Sequence, residues 1–207
     1  MQRSALILAG GKGTRLGEQE KALLTLKDKT FLEKTVDVLR PVVDEVIISI
    51  RDQSQQKIFS GFVKDVIFTC DKYQGKGPLA GILEGMRKAS GNYIFVVACD
   101  MPFLQHDVID LLFKEAVGHD AAVPIWEDGR KEPLHAVYNR EQLISVVERS
   151  ILMADHRVLA TVSQLHDVRY ISVEMIRLMD RELMSFININ TPLDLEQIIR
   201  KGVYQNG

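Results

Sequence analysis

Apolar residues in this chain gather into short runs, and the stretches between most of those runs have helical spacing. The first run, Ala5-Leu6-Ile7-Leu8, reads as a buried strand. Strands are predicted over Ser4–Leu8, Glu45–Ile50, Val66–Thr69, Tyr93–Ala98, Ala121–Ile125, Leu134–Tyr138 and Phe186–Ile189. Helices are predicted over Phe31–Leu39, Pro78–Ala89, Asp107–Val117, Arg140–Glu148 and Pro192–Lys201. Alternating strands and helices predict an α/β fold, a Rossmann-like, mostly parallel sheet with helices on both faces. Tyr93–Ala98 is apolar throughout, as expected of a central strand covered on both sides. Met153–Met184 has weaker periodicity and yields no firm element. Without repeats, low-complexity tracts or linkers, residues 1–207 read as one domain.

The predicted topology gathers distant residues. Ligands of such sheets bind beyond the carboxyl ends of the strands. The segment after the first strand, the strand end before Asp71 and the strand end before Asp100 therefore belong to one edge.

Composition narrows the chemistry that edge could perform. A 46% hydrophobic chain with a net charge of −2 has no global basic field to attract nucleic acid. No apolar run approaches a membrane span, and Met1-Gln2-Arg3-Ser4 leads straight into a strand, so neither membrane attachment nor a signal peptide is expected. The expected location is the cytoplasm. Cys70 and Cys99 are not spaced as a metal or redox pair and are expected to be reduced, small buried residues.

The strongest chemical signal follows the first strand. LILAGGKGTRLG carries glycines at 10, 11, 13 and 17 and cations at Lys12 and Arg15, with Lys21 close behind. Glycines allow a ligand close to backbone N–H groups, and the cations neutralise its charge, a combination that suits a triphosphate. Two familiar phosphate loops are excluded. Lys12 is followed by Gly13 rather than Ser or Thr, and three residues separate Gly13 from Gly17 where the dinucleotide fingerprint has two.

Other candidates flank the same edge. Asp100, just past a buried strand, suits Mg²⁺, which takes a carboxylate or two plus substrate phosphates; a plain turn before Pro102 is the alternative. Asn188 and Asn190 fall on one side of the last predicted strand, with Asn188 the functional one if only one is, while Asn190 or Thr191 caps the helix starting at Pro192. Gly77-Pro78-Leu79-Ala80-Gly81 opens a helix whose free N–H groups could meet a base or sugar, or is an ordinary helix start. His135 reads as a packed strand residue: no zinc spacing accompanies it, and no G-x-S-x-G elbow signals a serine hydrolase.

The segments LAGGKGTRLG (8–17), EKALL (20–24), GPLAG (77–81), CDMPF (99–103), EPLHA (132–136) and NINTP (188–192) resemble those of the molybdenum cofactor guanylyltransferases, within the nucleotidyltransferase superfamily. The resemblance implies the nucleotide-diphospho-sugar transferase fold and transfer of GMP from MgGTP to the phosphate of molybdopterin-type molybdenum cofactor. It implies that Leu8, Ala9 and Gly10 line the guanine and ribose, and that Gly11, Lys12, Gly13 and Arg15 hold the phosphates. Lys21 and Asp71 would contact GTP, Gly77, Pro78 and Leu79 would approach the nucleotide, and Asp100 would bind Mg²⁺ near Asn188 and Asn190. Arg15, Lys21 and Asp100 are the expected catalytic groups. Ser49 stands where some relatives have asparagine near the nucleotide. Relatives also imply contacts with molybdoenzymes or chaperones. Cytidylyl transfer to the same acceptor, guanylyl transfer to a corrinoid or sugar phosphate, and nucleotide binding without catalysis stay open.

Overall fold

The structure, a computed structural model, describes residues 2–11, 20–70 and 77–200. Lys12, Gly13, Arg15 and Asp71 lie outside the described residues. The strands β1 (Arg3–Leu8), β2 (Thr25–Leu26), β3 (Lys29–Thr30), β4 (Glu45–Ile50), β5 (Ile67–Cys70), β6 (Tyr93–Ala98), β7 (Ala121–Ile125), β8 (His135–Asn139) and β9 (Val168–Ser172) alternate with helices. The helices are α1 (Phe31–Leu39), α2 (Gln53–Phe59), α3 (Pro78–Lys88), α4 (His106–Ala116), α5 (Arg140–Leu152), α6 (Val158–Val162), α7 (Val173–Ile176) and α8 (Pro192–Arg200). None of the described helices is long and apolar enough to cross a membrane.

Among the described residues, seven strands form one sheet in the order β5-β4-β1-β6-β8-β7-β9. β5, β4, β1 and β6 are parallel; β8 runs antiparallel to both β6 and β7, and β9 returns parallel to β7. From β1 the chain winds outward through β4 to β5 and then crosses to β6 on the other side. That reversal opens a crevice at the carboxyl ends of β1 and β6.

Side-chain alternation divides the core. Ala5 and Ile7 of β1, with Phe95 and Val97 of β6, face α1 and α4 through Leu32, Val36, Ile109 and Leu112. Leu6, Ile94 and Val96 face α3 and α5 through Ile82, Met86, Leu143 and Val147. Burial on both sides is why these strands are apolar at nearly every position. Thr30 starts α1 with a reciprocal capping box to Glu33, and Gly77, at φ 64°, precedes Pro78 at the start of α3.

The predicted last strand is not one. Met184–Phe186 forms a single 3₁₀ turn and 187–190 is irregular. Ile189 turns into a satellite core with Leu26, Phe31, Phe103 and Met184, and its N–H donates to the Asp100 carbonyl at 2.8 Å. Its backbone is thus spent on the loop after β6 rather than on a ladder. Strand alternation therefore does not set the orientation of Asn188 and Asn190.

Candidate active site

A cleft of about 1050 Å³ opens at the crevice, lined by the ends of β1, β4 and β6 and the start of α3. Leu8, Ala9, Gly10 and Gly11 supply one wall, Ser49 and Arg51 another, Gly77, Pro78 and Gly81 a third, and Cys99 and Asp100 the floor, with Lys21 and Glu20 at the rim. Backbone hydrogen bonds extend the sheet logic past the strands. Ala9 N–H donates to the Ser49 carbonyl at 2.9 Å, and Cys99 N–H to the Leu8 carbonyl at 3.1 Å.

Three predicted residues converge on one cation. Lys21 Nζ donates to Asp100 Oδ2 at 3.3 Å and to Asn190 Oδ1 at 2.7 Å. Asp100 Oδ1 is buried and has no hydrogen-bond partner among the described residues. A buried carboxylate oxygen left unpaired is costly, and a hard cation is the natural partner for it. Among the described residues no three His, Cys, Asp or Glu side chains gather to form a metal cage. The free Asp100 oxygen suits a hard cation that takes a carboxylate or two and draws other ligands from water and phosphate, as Mg²⁺ does.

Other predicted residues fall elsewhere. Leu79 is fully buried in the core behind α3 and does not line the cleft. Asn188 is exposed, and the expectation that it rather than Asn190 serves the site is reversed: Asn190 is the one that meets Lys21, because 187–190 is irregular and not a strand. Ser49 and Gly81 face each other so closely that a β-carbon on Gly81 would lie 2.5 Å from Ser49 Oγ. Only glycine lets α3 approach β4 at this depth.

Burial and the adjacent Asp100 carboxylate push the Cys99 thiol up to about 12, so it remains a protonated thiol and not a nucleophile. His135 is wholly buried, and burial holds its imidazole down at about 3. Its ring packs edge-on to Phe95 at 5.1 Å and against Phe186 at 4.8 Å, and neither nitrogen has a hydrogen-bond partner among the described residues. The packed reading of His135 is what the structure has. Trp126 extends the stack to Phe186, and its indole N–H donates to Glu132 Oε1 at 2.7 Å. Burial pushes the Glu132 carboxyl upward.

Sequence reasoning missed the group on the far side of the cleft. Arg51 Nη2 donates to Glu20 Oε1 at 2.7 Å, and Gln55 Nε2 donates to Glu20 Oε2 at 2.7 Å and to the Ala9 carbonyl at 2.9 Å. The hydrogen bond from Arg51 to Glu20 raises the guanidinium pKa above its already high value. A signal was present: Asp52-Gln53-Ser54-Gln55 has the spacing of a helix N-terminus, and Asp52 does cap α2, accepting from Gln55 N–H at 2.8 Å.

Comparison with known proteins gives one consistent result. The model of the MobA-like NTP transferase domain matches residues 5–168. A Methanosarcina mazei protein named "Probable molybdenum cofactor guanylyltransferase" is 46% identical over 202 residues, covering 95% of this chain and 90% of that protein. A Desulfosudis oleivorans protein named molybdenum cofactor guanylyltransferase is 33% identical over 94% of this chain and 93% of its own length. The crystal structure of molybdopterin-guanine dinucleotide biosynthesis protein A from Archaeoglobus fulgidus superposes with a TM-score of 0.81 at 32% identity, covering 97% of this chain and 98% of that one. A Thermus thermophilus 2-C-methyl-D-erythritol 4-phosphate cytidylyltransferase shares the fold, with a TM-score of 0.67 at 19% identity, over 99% of this chain and 100% of its own.

Proposed function

The chain belongs to the molybdenum cofactor guanylyltransferases of the MobA-like NTP transferase family, and from that premise we propose how its cleft carries out guanylyl transfer. GTP and molybdopterin-type molybdenum cofactor are the substrates; the guanine dinucleotide form of the cofactor and pyrophosphate are the products. Residues 1–207 act as one nucleotidyltransferase domain. The reading carries with it a cytoplasmic location and hand-over of the product to a molybdoenzyme or its chaperone.

The observation that carries the assignment is the Asp100 carboxylate in the cleft, with one oxygen on Lys21 and the other buried with no partner among the described residues. Asp100 would hold Mg²⁺. Bound there, the ion supplies positive charge against the α-phosphate and the departing pyrophosphate. Leu8, Ala9 and Gly10 receive the nucleoside beside Ser49, and Gly77 and Pro78 line the same cleft. Gly11, Lys12, Gly13 and Arg15 bind phosphate, and Asp71 contributes to GTP binding.

The acceptor phosphate oxygen attacks the α-phosphorus in line, its bond to phosphorus forming as the bond to the bridging oxygen of pyrophosphate breaks. Lys21 stands beside Asp100 to neutralise the charge that builds on the non-bridging oxygens, and Asn190 keeps its ammonium from turning away. The attacking phosphate is already ionised, so no side-chain base is required, and positioning with charge stabilisation supplies the catalysis.

The test is pyrophosphate release with Mg²⁺ and molybdenum-loaded molybdopterin, comparing GTP with CTP. GTP should support release and a product heavier by one GMP, and Asp100→Ala should abolish it. Release with CTP alone would refute the choice of base. Wild-type turnover by Asp100→Ala would refute the metal role.

A further inference from the structure

We propose that Gln55 is a positioning residue for guanylyl transfer, tying the backbone wall that receives the nucleotide to the segment that carries Lys21. The inference rests on the nucleotide reading of the cleft. It starts from a side chain that looks out of place. Gln55 is 1% exposed, yet it sits in the first turn of α2, where helix capping is already done by Asp52. The donors of its amide do not serve its own helix. One N–H donates to the Ala9 carbonyl at 2.9 Å and the other to Glu20 Oε2 at 2.7 Å, while its oxygen accepts from Arg51 N–H at 2.7 Å.

Those three partners belong to three different parts of the cleft. Ala9 follows β1 in the nucleotide wall, Arg51 follows β4, and Glu20 immediately precedes Lys21. Arg51 takes the second Glu20 oxygen at 2.7 Å, so the carboxylate is held through both oxygens. A carboxylate held that way fixes the backbone around it, and the next residue is the cation that reaches Asp100 and Asn190. Ala9 and Glu20 also flank, in sequence, the phosphate-loop residues 12–19.

The geometry needs glutamine in particular. An amide alone offers two donors and an acceptor from one planar head, and all are used here. Glutamate would lose the donors toward Ala9 and Glu20, and leucine would fill the volume but leave Glu20 without one of its partners. Because transfer depends on placing charge within a fraction of an ångström, a brace of this kind acts on rate and nucleotide affinity as well as on stability.

The experiment measures GTP binding with Mg²⁺ by titration, and kcat and KM by pyrophosphate release. It compares the full-length wild type, Gln55→Leu, Glu20→Ala, the double variant, and Gln56→Ala as an exposed neighbour, with melting temperatures for each. Gln55→Leu should weaken GTP binding about tenfold, equivalent to about 1.4 kcal/mol, and lower kcat as well. Gln56→Ala should leave both unchanged. The double variant should be no worse than the worse single one, because both residues act through the same brace. A folded Gln55→Leu with wild-type affinity and kcat overturns the proposal, as does full additivity with Glu20→Ala. If Gln55→Leu does not fold, unchanged affinity and kcat in Glu20→Ala overturn it instead. A wild type that binds no GTP fails one level earlier, overturning the nucleotide reading and this inference with it.

Discussion

Replacing Gly81 with alanine tests the packing that shapes the cleft. The new β-carbon would lie 2.5 Å from Ser49 Oγ, 3.4 Å from Ser49 Cβ and 3.5 Å from Leu8 Cδ2. The last two are ordinary contacts; the first is a clash. Two effects oppose each other. Alanine in a helix interior is worth about 1 kcal/mol over glycine. Forcing an extra carbon into a packed site costs about 1–3 kcal/mol. Ser49 is 3% exposed, so its hydroxyl has little free space to swing into, and the clash should win. Gly81→Ala should lose about 1 kcal/mol, a fall in Tm of about 2–4 °C for a chain of this size.

The same geometry predicts the sign of a second measurement. In a Ser49→Ala background the oxygen is gone and only the ordinary contacts remain. Gly81→Ala should there be neutral or stabilising, because its helix gain is no longer offset. Urea melts of the wild type, both single variants and the double variant give the coupling, expected at about 1–3 kcal/mol. GTP affinity should follow, since both residues line the cleft. A Gly81→Ala protein as stable as the wild type, or a coupling of zero, refutes the claim that glycine is there to let α3 meet β4.

Two further perturbations address the Lys21 ammonium of the cleft and the buried His135 imidazole. Lys21→Ala should cost about a hundredfold or more in kcat/KM for pyrophosphate release, the scale of losing one donor aimed at developing charge; an unchanged kcat/KM counts against its role. His135 is held neutral by burial with its pKa at about 3, below the ordinary histidine value. The unfolded chain therefore binds the extra proton between about pH 6.5 and 3, so the contribution to stability is complete above that window and is lost as pH falls through it. His135→Leu should remove up to about 1.4 kcal/mol per pH unit of that slope in urea melts at fixed pH. At pH 8 it should be neutral or stabilising, because both ring nitrogens are buried without partners among the described residues. A variant with the wild-type acid slope would show that His135 does not titrate on unfolding.

The parts of the fold that could be read from the sequence are those where the backbone pattern alone decides position. Glu45–Ile50, Tyr93–Ala98 and Ala121–Ile125 occupy the predicted ranges because long apolar runs leave one way to bury both faces. Within Met153–Met184 that constraint fails. β9 is largely exposed at the sheet edge, and α6 and α7 are too short to establish a helical period. Phe186–Ile189 shows the opposite error, a strand-like alternation produced by residues packing into two separate cores.

The site divides along the same line. Ala9 and Asp100 could be found because the carboxyl ends of parallel strands share an edge, whatever their side chains do. The partners of Glu20 could not, since Arg51 and Gln55 lie 31 and 35 residues further along the chain, and only side-chain reach selects them. Gln55 reads locally as the third residue of a helix whose first-turn oxygen is already supplied by Asp52. Its oxygen is used locally, on Arg51 N–H, but nothing nearby uses the two amide donors, and buried donors with no local partner must be satisfied from a distance. Asn190, 169 residues from Lys21, follows that rule from the other side. Its own helix is started instead by Thr191 and Asp194, which exchange hydrogen bonds at 3.2 Å and 2.8 Å, leaving the Asn190 amide oxygen available for the ammonium of Lys21. In both places the capping oxygen comes from a neighbour, which leaves the Gln55 donors and the Asn190 oxygen to reach distant partners.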